Sequence, residues 1–243
     1  MPVRGICRPR HGPPVRPATW QTSEIRATTT AAPCLNGRVQ AFKDGRSWQI
    51  GTAREVSWIA NGTTEDLSIT AAIPPAFEAY ATCYEPDGVT IEAHERAVVE
   101  QLVQFTADQP WWLGYLETGA HSVVFDDAPR VSLYWGWPYV LIAAGPEQAL
   151  TWRRGHIRAE YGVLPDLFFP QDRSWLVSAL WDDTWTCIGG SKILIEALHR
   201  DPLVHAHRVQ RGVDPKPPGR DRDDGTATAT ETDSRMPLWY RDT

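Results

Sequence analysis

Methionine, cysteine and long apolar runs are scarce in this chain, and each scarcity removes a class of protein. There are two Met and four Cys in 243 residues. No uninterrupted apolar run approaches the roughly 18 residues that span a bilayer, so no membrane helix is expected. The basic N-terminus is not followed by an apolar segment, which argues against a secretory signal. The cysteines, Cys7, Cys34, Cys83 and Cys187, form no C-x-x-C pair. That spacing offers no redox motif or zinc knuckle, and it points to reduced structural thiols in a cytoplasmic setting. The G-x-S-x-G elbow, the Rossmann glycine triplet and the Walker loop are all missing. Ala93-His94-Glu95-Arg96-Ala97-Val98 begins like a zinc-protease helix, but Val98 stands where the second histidine ligand must fall. No metal, no cofactor and no catalytic residue is expected.

The middle of the chain also lacks cations. Residues 50–209 hold ten Lys and Arg against 21 Asp and Glu, a net of −11, while the whole chain carries −6. Such a body repels phosphate backbones, so nucleic acid is excluded as a partner of the core. A basic protein partner suits it.

Twelve Trp, by contrast, is a high count. Residues 1–45 are rich in Arg, Pro and Thr without apolar periodicity and read as a disordered leader. Residues 210–243 read as a disordered tail on the same grounds. Between them, residues 46–209 form one domain. Two β-leaning runs, Trp48–Ile50 and Val56–Ile59, precede the Asn61-Gly62 turn. Pro74-Pro75 followed by Phe77, Tyr80 and Ala81 predicts a short helix over 75–83. Thr90 caps a long helix over 91–106 with an apolar stripe of Ile91, Val98, Leu102 and Phe105. Strands follow at 111–117, 121–125, 131–135 and 139–143, then a short helix from Pro146 and a connector over 161–169. Ser174–Leu180 and Trp185–Ile188 alternate as a hairpin around Asp182-Asp183. Gly189-Gly190 supplies a bend, and Ser191 caps a last helix ending at His199-Arg200 before Pro202. The fold class is α+β, a largely antiparallel sheet with helices packed on one face.

The octet Ile73-Pro74-Pro75-Ala76-Phe77-Glu78-Ala79-Tyr80 resembles the signature of the SMI1/KNR4-like (SUKH) superfamily. In that signature an aliphatic-Pro pair is followed at helical spacing by two aromatics, ahead of a β-rich region. The Asn-Gly-Gly that often follows is replaced here by Tyr84-Glu85-Pro86-Asp87-Gly88. The resemblance implies an α+β fold and an immunity-like role, the binding and neutralising of a toxin protein.

Residues with chemistry to offer are few. Gly189, Gly190 and Ser191 open a helix, where exposed N–H groups hold anions. His199, His205 and His207 gather near Asp201 without a rigid fourth ligand, which favours a histidine-rich linker over a zinc site. The adjacent acids Asp126-Asp127 and Asp182-Asp183 sit in turns, where short carboxylates accept backbone N–H groups. Cys187 on a strand reads as an inert thiol. Aromatic anchors dominate protein interfaces, so Trp135, Trp137, Trp181, Asp182, Asp183 and Trp185 form the expected binding face. The function expected is a non-catalytic cytosolic protein-binding module of the immunity type. The alternative is a hydrolase or carbohydrate-binding protein with its site near the 181–185 turn.

Overall fold

Alternation along the strands dictates the architecture. Between Trp111 and Tyr115 every residue is buried: Trp111, Leu113 and Tyr115 enter one apolar cluster and Trp112 enters another. Successive side chains of a strand point to opposite faces, so this sheet needs cover on both. The computed structural model describes residues 34–35, 38–117, 125, 128–154, 162–180 and 183–218. In chain order the elements are β1 (Cys34–Leu35), β2 (Arg38–Lys43), β3 (Arg46–Gln49), α1 (Ala53–Ala60), a 3-10 turn (Ile69–Ala71), β4 (Ala79–Cys83), α2 (Ile91–Gln104), β5 (Trp111–Leu116), β6 (Arg130–Leu133), β7 (Trp137–Ala144), α3 (Pro146–Thr151), β8 (Leu167–Pro170), β9 (Leu176–Ser178), β10 (Thr186–Gly190), α4 (Lys192–Arg200) and β11 (His207–Val209).

Eight strands make one sheet in the order β11-β4-β10-β9-β8-β5-β7-β6, and every neighbouring pair is antiparallel. The fold is α+β. One face is covered by α2, α3 and α4 through Val98, Leu102, Ala149, Trp152, Leu194 and Leu198. The other is covered by α1 and the 3-10 turn through Val56, Ile59 and Ile69. The expectation of helices on one face therefore holds for three helices and is corrected for α1. A small sheet, β1-β2-β3, abuts the large one where Ile50 bridges Ile142 beyond the end of β6. Among the described residues no helix is long and apolar enough to cross a membrane.

Several expectations are corrected by local chemistry. Val56–Ile59 lies in helix α1, because Thr52 and Glu55 form a capping box: the Thr52 N–H donates to Glu55 Oε2 at 2.8 Å, and the Arg54 N–H donates to Thr52 Oγ1 at 3.3 Å. Thr52→Ala is expected to cost about 1 kcal/mol in urea denaturation. Burial opposes ionisation of Glu55, but bonds from the Thr52 side chain and backbone outweigh it and hold the carboxyl below its ordinary range. That contribution is present above the unfolded pKa and fades as the pH falls through the folded one.

Residues 79–83 form strand β4 between β11 and β10, not the second half of a helix. Proline cannot supply N–H groups for a ladder or a helix turn, and the Tyr80 hydroxyl closes the chain on itself by accepting from Phe77 N–H (3.3 Å) and donating to Phe77 O (3.2 Å). The connector over 161–169 runs into β8, whose Leu-Phe-Phe-Pro run is buried on both faces and so shows no alternation. Strand β2 lies inside the segment read as leader. At the other end, Pro215 and Pro217 are buried and Val213 O accepts from Ile69 N–H at 2.9 Å, so packing continues past residue 210. Gly189 and Gly190 finish β10 rather than bending away from it. The expected strand over 121–125 falls, apart from Phe125, outside the described residues.

Candidate interaction site

The β6–β7 hairpin is closed by Tyr134-Trp135-Gly136, between the paired residues Leu133 and Trp137. All three have positive φ: 40° for Tyr134, 26° for Trp135 and 92° for Gly136. Glycine adopts this region freely, whereas bulky aromatic residues are strained in it. What holds the turn is buried. The Tyr134 hydroxyl donates to Ala72 O at 3.0 Å and meets Ser178 Oγ at 2.8 Å, where the serine is left to donate. Its ring sits edge-on to Tyr139 at 6.0 Å, and burial lifts its phenol above the ordinary range. With Tyr134 driven inward, Trp135 turns outward and is 46% exposed. It stands edge-on to the half-buried Trp137 at 5.5 Å. The result is a rigidly backed pair of indoles at a hairpin tip.

The antiparallel order places this tip and the β9–β10 turn at the same end of the sheet, and the Tyr134–Ser178 contact joins their bases. The six residues expected to form one face are nonetheless divided. Trp135 and Trp137 are at the tip. Trp185 is 2% exposed and packs in the core cluster with Tyr139, Leu141 and Leu176, so it lines no binding wall. Asp183 is half-buried and its N–H donates to Leu180 O at 3.1 Å, a turn role. Trp181 and Asp182 lie outside the described residues, as do Asp126 and Asp127. An enzyme or sugar site beside 181–185 thus loses its expected aromatic wall at Trp185.

The anion site expected at Gly189, Gly190 and Ser191 is met from within. Lys192 N–H donates to Glu78 Oε2 at 3.2 Å and Leu194 N–H to Ser191 Oγ at 3.2 Å. Glu78 is the carboxylate that the positive end of α4 attracts. Beside it a shallow cleft of about 340 Å³ is lined by Trp58, Phe77, Glu78, Arg173 and Gly190, with the Arg173 guanidinium 5.5 Å above the Trp58 ring. A second cleft of about 430 Å³ lies between the β2–β3 turn and α3, where Trp152 Nε1 donates to Asp44 Oδ2 at 2.5 Å.

The other candidates resolve as structure. His94 and Glu95, from the stretch that begins like a zinc-protease helix, are buried. His94 Nδ1 bonds Leu203 O at 2.8 Å, and Glu95 Oε1 accepts from Val163 N (2.7 Å) and Leu164 N (2.9 Å). Burial pushes Glu95 above the ordinary carboxyl range, against those bonds and the nearby Arg153 and Arg154. Cys83 and Cys187 are buried and form no disulfide, and burial, with Glu85 nearby, pushes the Cys83 thiol up to about 12. Among the described residues no group of His, Cys, Asp or Glu is placed to hold a metal ion.

Two features went unread in the sequence. Tyr134, which fixes the tip, is signalled only by its place in Tyr-Trp-Gly-Trp. The part-buried pair Arg153–Asp166, at the same end of the sheet, carried no signal, since its partners come from separate elements. Comparison with protein-family models, with curated proteins and with solved structures finds no match to this chain.

Proposed function

We propose that this chain is a non-catalytic module that binds a basic protein through the Trp135–Trp137 tip. One observation carries the reading: an indole is held in solvent by a turn whose backbone strain is sustained from beneath by Tyr134. Strained backbone persists where surrounding structure over-determines it, and it clusters at functional positions. Tryptophan, with tyrosine and arginine, is enriched among interface anchors, worth about 2 kcal/mol or more when it fills a partner's pocket. The net charge of −11 over residues 50–209 selects a basic partner and speeds its encounter. Neutralisation of a toxin is the sharpest form of this proposal. It draws on the SMI1/KNR4-like resemblance at 73–80, although those residues form a turn and the start of β4 here. The buried thiols suit a reducing cytoplasm.

The test compares immobilised wild-type protein with Trp135→Gly. Glycine relieves the left-handed strain at the cost of backbone entropy, so folding stability should shift by no more than about 1 kcal/mol. A Lys/Arg-rich protein should be retained by the wild type, be released by salt, and bind the variant about thirtyfold more weakly. Equal retention by both proteins removes the tip from the interface. Retention that ignores salt removes the basic partner.

A further inference from the structure

Four of the seven histidines surround one loop. Residues 201–206 join α4 to β11, the three-residue edge strand that pairs with β4. His94 of α2 holds this loop through Leu203 O, and His199 of α4 holds it through Ala206 O, each at 2.8 Å. His205 lies within it at a φ of 47°, and its ring is 6.3 Å from His199 and 5.4 Å from His207. His207 opens β11 and stacks on Tyr84 at 5.8 Å. Beyond β11 the chain is pinned by Val213 O to Ile69 N–H and by Pro218 O to the Tyr84 hydroxyl. We propose that β11 and residues 210–218 form an acid-released strap, detached from the edge of β4 when His94 and His207 take up protons.

The charges around the loop set the direction. Protonation of His207 places a charge beside the neighbouring His205 ring, and protonation of His94 places one in a buried site. Glu85 and Asp201 favour a proton on His94, but burial outweighs them and draws its pKa below 6.5. Burial and the charges of His205 and His199 draw His207 below 6.5 as well. Asp201 is engaged, accepting from Gln101 Nε2 at 2.7 Å and Leu203 N at 2.9 Å. Glu196 is shared between Arg200 and Arg208, so it is already neutralised by cations. For an imidazole whose folded pKa is depressed, the open form binds more protons. The closed strap is therefore favoured above about pH 6.5 and loses ground as the pH falls through the folded pKa values. Two such groups raise the opening constant by up to about a hundredfold per pH unit in that window. Val204 and Ala206, fully buried in the core, oppose opening and keep the strap closed at neutral pH. Release uncovers the outer edge of β4, a row of backbone groups of the kind that pairs with an added strand.

Hydrogen exchange of the full chain at pH 7.5 and 5.5, corrected for intrinsic rates, tests the device. The expected result is a loss of protection of at least tenfold over 203–218, with amides of β5 and β8 unchanged. The double variant His205→Gln, His207→Gln changes one exposed and one half-buried ring, so it should fold, and its strap should lose less than a third as much protection. Protection over 203–218 that is equal at both pH values overturns the proposal. So does a loss shared with β5 and β8, which is global acid unfolding, or a loss undiminished in the double variant.

Discussion

Arg153→Met is expected to destabilise the fold by about 3 kcal/mol in urea denaturation at neutral pH, the lower end of the cost of breaking a buried ion pair from one side, since the pair is part-buried. The guanidinium donates from Nη1 to Asp166 Oδ1 (3.1 Å) and to Leu164 O (2.9 Å), and from Nη2 to Asp166 Oδ2. It also lies 5.1 Å over the Tyr115 ring. Burial works against its charge, yet Asp166 outweighs burial and its pKa is raised. The side chains of the pair are 12% and 23% exposed. Arg96–Glu92 on α2, at 51% and 62%, is screened and contributes no more than about 0.5 kcal/mol. Burial, not the count of ion pairs, decides which one matters. Arg153→Lys keeps the charge but loses the planar fork, so an intermediate loss of about 1–2 kcal/mol is expected. Asp166 Oδ2 also accepts from Leu116 N–H at 2.7 Å, so Asp166→Asn in the Arg153→Met background should recover part of the loss. A coupling below about 0.5 kcal/mol between the two substitutions contradicts the assignment.

The elements legible in the sequence are those whose signals are local. Thr90 and Ser191 do cap α2 and α4, each accepting a backbone N–H three residues on. The β9–β10 hairpin shows its turn residues openly, and strands β5 and β7 show as aromatic and β-branched runs set off by Pro or Gly. Strand β8 is hidden because it is only four residues long, is buried on both faces without alternation and ends in proline. Strand β4 is hidden because Phe77 and Tyr80, three residues apart, imitate one helical face while their contact in fact closes a turn. Helix α1 is hidden because its β-branched pair, Val56 and Ile59, outweighed the Thr-x-x-Glu capping box in front of it. The site follows the same rule. Trp135 reads as the end of a strand over 131–135, whereas β6 stops at Leu133 and Trp135 lies in the turn; sorting it from the buried Trp185 depends on how the sheet is covered, a non-local fact. Tyr134 owes its role to Ala72 and Ser178, residues 62 and 44 positions away.

Gly189→Ala is expected to cost about 3 kcal/mol, the upper end of ordinary overpacking. A Cβ there would sit 2.4 Å from Ile73 Cγ2 and 2.5 Å from Phe77 Cδ2. The φ of Gly189 is not positive, so the penalty is steric and not conformational. Gly45→Ala is the converse case, with a φ of 72° and nothing within 4 Å of the new carbon, and should cost only about 1–2 kcal/mol. Ile73 is fully buried and cannot move aside. Phe77 is half-buried and can, but Glu78 follows it and caps Lys192 N–H, so yielding at Phe77 draws the carboxylate away from the start of α4. The clash therefore reaches the helix as well as the sheet. Shortening the obstacle separates these contributions. Ile73→Ala alone opens a cavity costing about 2–5 kcal/mol, yet combined with Gly189→Ala it removes one of the two clashing atoms. The double variant should be more stable than the sum of the single losses predicts by at least about 1 kcal/mol. Strict additivity would mean that Ile73 is not what excludes a side chain at position 189, and that the close approach of the 73–78 turn to β10 contributes nothing to the choice of glycine there.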